Sequence, residues 1–310
     1  HTDSERTMLT RDVDAFLTLA ASLPPDVGPS CAKSVFLISP DGFRLSEQSA
    51  TDNRYMRLEQ PTDALVAMSE HHALQLEISK VCPVICFPGA QSTPDAVFPN
   101  NVFATVPGRL IIGHMRHPVR QEETRRPDIR GFFADTLGYR EIDLSQHKGI
   151  CELTGSLIID RARNIGFCGL SERCDEAGAR AMFEAFDLEA CLLFNLAEGE
   201  YHTNVVLSVL ASRAVVVAAS GFRDAAVAEA IAGFYGGRAI RLSESQKGDY
   251  AGNCIALTEN AVFLSQRALD SLDPGQCAQF ADYGFSLVPA ALPMLERAGG
   301  SLRCCVGEIF

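Results

Sequence analysis

Apolar residues in this chain gather in short runs, and the runs come in pairs separated by tight polar turns. Asn100-Asn101-Val102-Phe103-Ala104-Thr105 is followed by a Pro-Gly turn and Leu110-Ile111-Ile112-Gly113. Thr154-Gly155-Ser156-Leu157-Ile158-Ile159-Asp160 is followed by Asn164-Ile165-Gly166-Phe167-Cys168. His202-Thr203-Asn204-Val205-Val206-Leu207 leads to Ala214-Val215-Val216-Val217, and Gly252-Asn253-Cys254-Ile255-Ala256-Leu257 leads to Ala261-Val262-Phe263-Leu264. A fifth run, Arg303-Cys304-Cys305-Val306-Gly307-Glu308-Ile309, ends the sequence. Runs of this length bounded by turn residues predict buried strands. The fifth run lacks a following partner, and Val35 to Ile38 near the other end of the chain is expected to supply it.

Each strand opens on small or polar residues. These entrances recur at a spacing of roughly 50 residues, in the range of internally repeated architectures. Helical patterns at Asp175–Phe186, Asp224–Phe234, Ser265–Leu272 and Pro289–Ala298 fill the gaps. The repeating unit is therefore strand, strand, helix, strand. Five such units in a ring, a pseudo-symmetric α/β propeller of ββαβ-type units, would bring the polar entrances to one axis. A generic α/β sheet with buried strands is the plainer alternative, but it leaves the recurrence unexplained.

Before the repeats, Arg11–Ala21 has helical spacing and Leu23-Pro24-Pro25 stops it. Residues 1–30 read as an entry segment and 31–310 as a single catalytic domain. Pro61–His72 is expected to be helical, with Leu74–Ile78 and Cys82–Phe87 as strands.

Composition narrows the partners. A net charge of −12 disfavours nucleic acid, whose phosphates need basic patches. No apolar run reaches the roughly 18 residues of a membrane span, and the first residues lack a secretory pattern. The eleven cysteines are scattered, mostly in apolar runs, with no zinc spacing. The expectation is a cytoplasmic protein without disulfides, metal or organic cofactor. Homo-oligomerisation is left open.

Four groups of residues could carry chemistry. Cys304 sits at the entrance of the last strand, after Gly299-Gly300. In a strand its neighbour Arg303 would face away, so the group activating the thiol must come from elsewhere. Cys304 and Cys305 would also point oppositely, one to the axis and one to the core. A thiol in an apolar context is otherwise a small core filler. His202 stands at the third entrance and titrates in the range suited to moving protons. Glu152, near the second entrance, needs a partner if buried; His202, a substrate N–H, Arg161 or Arg173 could be that partner. Asn101 and Asn204 offer uncharged donors and acceptors at two further entrances.

These residues together resemble the guanidino-group-modifying enzymes of the pentein fold: arginine deiminases, dimethylarginine hydrolases, amidinotransferases and relatives. Ala298-Gly299-Gly300-Ser301-Leu302-Arg303-Cys304 is similar to the family's approach to its nucleophilic cysteine, which favours Cys304 over Cys305. Tyr201-His202-Thr203-Asn204 resembles its histidine motif. Cys151-Glu152-Leu153-Thr154-Gly155 resembles its Glu-Gly-Gly motif, with Leu153 and Thr154 in place of the glycines. Asp95 to Asn101 resembles its first substrate-binding motif, and Gly169 to Arg173 a stretch that places an arginine near the substrate or at a blade turn. The resemblance implies Cys304, His202 and Glu152 as catalytic, and Asn101, Asn204, Asp95 and Arg173 as substrate-binding.

Deiminases of this family carry aspartates where this chain has Asn101 and Asn204. Two carboxylates suit a guanidinium cation. Two amides suit a neutral ureido group. The resemblance runs nearest to the branch associated with citrulline use and the arginine dihydrolases. It implies a hydrolase taking citrulline, or arginine through citrulline, to ornithine, ammonia and carbon dioxide. An arginine deiminase, an amidinotransferase and a non-catalytic binding propeller are the alternatives.

Overall fold

The computed structural model describes residues 8–310. Its strands form five separate small sheets. In the first, Phe103–Val106 pairs antiparallel with Arg109–Ile112, which pairs parallel with Arg140–Asp143. The same antiparallel-then-parallel order recurs in Leu157–Asp160, Ile165–Leu170 and Ala190–Asn195. It recurs again in Leu207–Leu210, Ala214–Val217 and Ala239–Arg241, and in Ile255–Thr258, Ala261–Ser265 and Ser286–Ala290. The fifth sheet joins the chain ends: Gly307–Ile309 pairs antiparallel with Ser34–Ile38, which pairs parallel with Val84–Phe87. The partner expected for the last strand is thus the one it has.

The paired strands are apolar because both faces are covered. Val215, Val216, Ile165 and Phe167 are buried in one large core between the second, third and fourth sheets. The helices Glu176–Ala185 and Ala225–Phe234 start at Asp175 and Asp224, whose carboxylates accept from the first-turn N–H groups. Near the start of the chain, Met8–Thr10 adds to the second sheet beside Ala190–Asn195, and helix Val13–Ser22 buries Phe16 and Ala20. No helix among the described residues is long and apolar enough to cross a membrane.

Hydrogen bonds tie neighbouring sheets and their entrances together. Thr105 Oγ1 donates to the Glu308 carbonyl, Thr154 Oγ1 to Asn100 and Thr203 Oγ1 to Ser156. Ser208 Oγ donates to Gly252, and the Arg303 N–H to Asn253.

Three expectations need correction. Leu74–Ile78 is not a strand but the end of helix Ala64–Ser79. Ala67, His71, Leu74 and Ile78 are buried at steps of four, three and four, which is one face of a helix. Pro289–Ala298 is not a helix: Pro289 lies in the edge strand Ser286–Ala290, where a missing N–H is tolerated, and only Pro293–Glu296 is helical. Finally, the entrances are not extended. Pro99–Asn101, Thr203–Val205 and Arg303–Cys305 are 3₁₀ turns, and Leu153–Ser156 is one α-helical turn. Strand alternation therefore does not decide where Arg303, Cys304 and Cys305 point.

Candidate active site

The turn carrying Cys304 is set by the glycines before it. Gly299 has φ +82°, and a Cβ there would lie 2.3 Å from Asn53 Nδ2. A Cβ on Gly300 would press on the Phe98 ring at 3.0 Å. A side chain at Gly299 would be strained and would displace Asn53, and one at Gly300 would push on the Phe98 ring. Beyond the turn Cys304 and Cys305 separate: both are buried, but Asn253 Nδ2 and Asn204 Nδ2 donate to Cys304 Sγ at 3.4 and 3.7 Å. Both thiols belong to the apolar cluster that holds Leu302 and Val306, and the amide donors on Cys304 are what set the two apart.

Cys304, His202, Asp95, Asn101 and Arg173 line one cavity, together with Ser49, Asn53, Phe98, Arg120, Tyr201, Gly299 and Gly300. Its volume is about 20 Å³, room for about one water. Asn204 lines a different hollow, alongside Thr154, Ser208 and Arg303, and reaches the thiol from there. Glu152 stands behind His202: its Oε1 lies 2.7 Å from His202 Nε2.

That contact sets the ring's tautomer. An ionised carboxylate only accepts, so neutral His202 carries its proton on Nε2 and keeps Nδ1 as the basic atom. The Gly155 backbone lies against the ring, and a Cβ there would come within 2.8 Å of Nδ1. Tyr201 also packs against the ring, centroids 4.4 Å apart.

The charges at this site are matched by burial and partners. Burial works to raise the Glu152 carboxyl. Arg173, the His202 hydrogen bond and Arg120 outweigh it and hold the group at about 2. Glu152 Oε2 also accepts from the Arg116 N–H at 3.0 Å. Burial lowers His202 below its ordinary value despite the neighbouring carboxylate, so the ring is neutral at pH 7. Burial raises the Cys304 thiol, against the Ser301 backbone, Asn253, Arg303 and Asn204. The site thus holds a thiol, a neutral imidazole and a carboxylate.

Arg173 is buried and tied to Asp52 at 2.6 and 3.0 Å, to the Ser49 carbonyl at 3.0 Å and to Glu152 at 3.4 Å. Asp52 also binds Arg116 at 2.8 Å and His117 Nε2 at 3.1 Å. Ser49 Oγ donates to Asp95 Oδ2 at 2.5 Å, and Asn53 Nδ2 to the Gly299 carbonyl at 3.1 Å. Segment 49–53 therefore lies across the site. Asp95 Oδ1 and Asn101 Oδ1 are buried at the cavity without a hydrogen-bond partner. Buried polar atoms of this kind are costly unless something meets them.

Sequence reasoning missed Asp52, Arg116, His117, Arg120 and Asn253. Arg120 forks onto Glu123 and donates to the Asp95 and Phe98 carbonyls, holding the turn that presents Asp95. Asn253 alone had a visible signal, since it occupies the fourth polar entrance. Among the described residues no group of three or more His, Cys, Asp or Glu side chains is arranged to hold a metal ion.

Residues 39–310 match the family model described as N,N dimethylarginine dimethylhydrolase, eukaryotic. The uncharacterized protein YkgA of Bacillus subtilis (strain 168) is 23% identical over 226 residues, 72% of either chain. Among solved structures, the N-terminal domain of ArgZ, an arginine dihydrolase from the ornithine-ammonia cycle in cyanobacteria, matches with a TM-score of 0.77 at 18% identity. The match covers 89% of this chain and 97% of that one. A dimethylarginine dimethylaminohydrolase in adduct with S-methyl-L-thiocitrulline matches with a TM-score of 0.68 at 17% identity, over 89% and 99%. The shared feature is the fold.

Proposed function

The chain belongs to the N,N dimethylarginine dimethylhydrolase family, within the guanidino-group-modifying superfamily, and from that premise we propose that it hydrolyses a C–N bond of a ureido or guanidino amino acid through Cys304. The preferred substrate is citrulline, or arginine by way of citrulline. The observation that carries this reading is the single cavity shared by Cys304 and His202, with Glu152 behind the imidazole.

The chemistry follows from the protonation states. His202 Nδ1 takes the Cys304 proton, and the imidazolium is stabilised by Glu152. The thiolate attacks the ureido carbon. The bond from that carbon to the ornithine nitrogen breaks, and His202 returns the proton to the leaving amine. Water, activated by the neutral ring, then hydrolyses the carbamoyl-cysteine to carbamate, which falls to carbon dioxide and ammonia. Arginine would need an earlier round that releases one ammonia and leaves citrulline. Asn101 would meet the neutral head group with its unpaired oxygen, and Asn204 would hold the thiol side of the same centre. Asp95 and Arg173 would bind the ammonium and carboxylate of the amino acid. The cavity is small, with room for about one water, and in this reading segment 49–53, which lies across it, would shift to admit substrate.

The five-bladed ring is part of this reading. The hydrogen bonds joining sheet one to two, two to three, three to four, four to five and five to one support it. So is a single domain over 31–310, a small-molecule substrate and a cytoplasmic setting, in keeping with eleven free cysteines.

Incubation with L-citrulline, L-arginine and N,N-dimethylarginine tests the proposal by measuring ornithine, citrulline, ammonia and dimethylamine. Ornithine and ammonia from citrulline are expected. Stoichiometric citrulline from arginine without ornithine would make this a deiminase and defeat the argument from the two amides. Dimethylamine as the main product would move the reading to the reaction in the family's name. Asn101→Asp is expected to shift the arginine-to-citrulline ratio of kcat/KM toward arginine by about tenfold, the gap between neutral and charge-assisted hydrogen bonds. An unchanged ratio removes Asn101 from head-group recognition.

A further inference from the structure

Asn253 is fully buried at the fourth polar entrance, 51 residues before Cys304 and 49 after Asn204. Its main chain is pinned on both sides. Its N–H donates to the Tyr250 carbonyl at 2.9 Å, and its carbonyl accepts from the Arg303 N–H at 3.3 Å. The side chain grips the residue beyond. Nδ2 donates to Cys304 Sγ at 3.4 Å and to the Asn204 carbonyl at 2.9 Å, while Oδ1 accepts from the Cys304 N–H at 3.4 Å. Gly252 before it leaves no room for a Cβ, which would sit 2.4 Å from the Val205 carbonyl oxygen. Backbone and side chain are thus both held in register with the last entrance.

We propose that Asn253 is the positioning residue of the nucleophile, holding the Cys304 main chain with its oxygen and the sulfur with its nitrogen. This rests on the reading of Cys304 as the nucleophile. An amide N–H aimed at sulfur favours the thiolate, which accepts and cannot donate. The other ionisable groups around the thiol are Arg303, His202, Tyr201, Tyr250 and Cys305, with Asp95, Arg120 and Arg173 lining the same cavity and paired with Ser49, Glu123 and Asp52. Arg303 spends its guanidinium on Glu308 and the Val306 carbonyl. Both tyrosines are pushed up by burial and stay neutral, as Cys305 does. Beside the Ser301 backbone, the side chains that donate to the sulfur are the two amides, Asn204 and Asn253.

The test is the pH profile of iodoacetamide alkylation at Cys304, read by peptide mass mapping in the full chain. Asn253→Asp is isosteric. It keeps an acceptor for the Cys304 N–H and replaces the donor to sulfur with a negative oxygen. The alkylation midpoint is expected to rise by about one pH unit, so the rate at fixed pH falls about tenfold. On the substrate that the wild type turns over, kcat should fall about tenfold or more while KM stays within about threefold. Coinciding alkylation profiles would overturn the proposal, even if melting temperature falls. If the Asp variant does not fold, Asn253→Ser gives the same comparison by removing the amide donor. Alkylation needs no substrate. A shifted profile in a protein that turns over none of the three amino acids sinks the proposed reaction and keeps the role of Asn253. Turnover with an unshifted profile does the reverse.

Discussion

Cys304→Ala is expected to abolish turnover, by about 10⁴-fold or more, because in the proposed reaction the covalent carbamoyl species forms on its sulfur. The paired control is Cys305→Ala. Cys305 lies one residue on but packs against apolar side chains in the core, and burial raises its thiol well above the ordinary value. It is a filler there, and its loss should cost about 1 kcal/mol of packing and leave most of the activity. Steady-state rates on citrulline and a thermal melt of each variant check both statements. Full activity in the Cys304 variant with loss in the Cys305 variant would move the nucleophile by one residue.

Glu152→Gln is expected to cut kcat by about 10²- to 10⁴-fold and to destabilise the protein by about 3 kcal/mol or more. The carboxylate is wholly buried and does three things at once. It orients the His202 ring at 2.7 Å, accepts the Arg116 N–H and neutralises Arg173. Glutamine keeps the shape and removes the charge, leaving two cationic centres short of a partner when His202 is protonated. The pH dependence carries the sign. The folded-state value of about 2 lies below the ordinary 4.5, so ionised Glu152 adds stability that is fully present above about pH 4.5. That increment fades as pH falls toward 2. The difference in unfolding free energy between wild type and Glu152→Gln should therefore shrink across this window. A constant difference would mean the carboxylate is not held down by its neighbours.

Some of this was readable in the residues alone. The paired apolar runs and their polar entrances gave away the strand pairs, and the antiparallel partner of the last strand. They also drew attention to His202, Asn101, Asn204 and the Cys304-Cys305 pair, because a repeated local signal survives without knowledge of contacts; the choice of Cys304 within the pair came from the family resemblance. Leu74–Ile78 failed for the opposite reason: a short apolar run has no period of its own, and the stripe from Ala67 to Ile78 appears only over the whole helix. The turns at the entrances failed because short polar segments carry no periodicity at all.

What the chain's order of residues determined by itself is the repeat and the chemical inventory, since hydrophobic patterning is a local property. Only the folded arrangement decided the pairings. Asp52 holds Arg173 across 121 positions, Glu152 takes His202 across 50, and Asn253 holds Cys304 across 51. Charge and hydrogen-bond partners are chosen by distance in space, and with many arginines and carboxylates available, nothing in the linear order says which will meet.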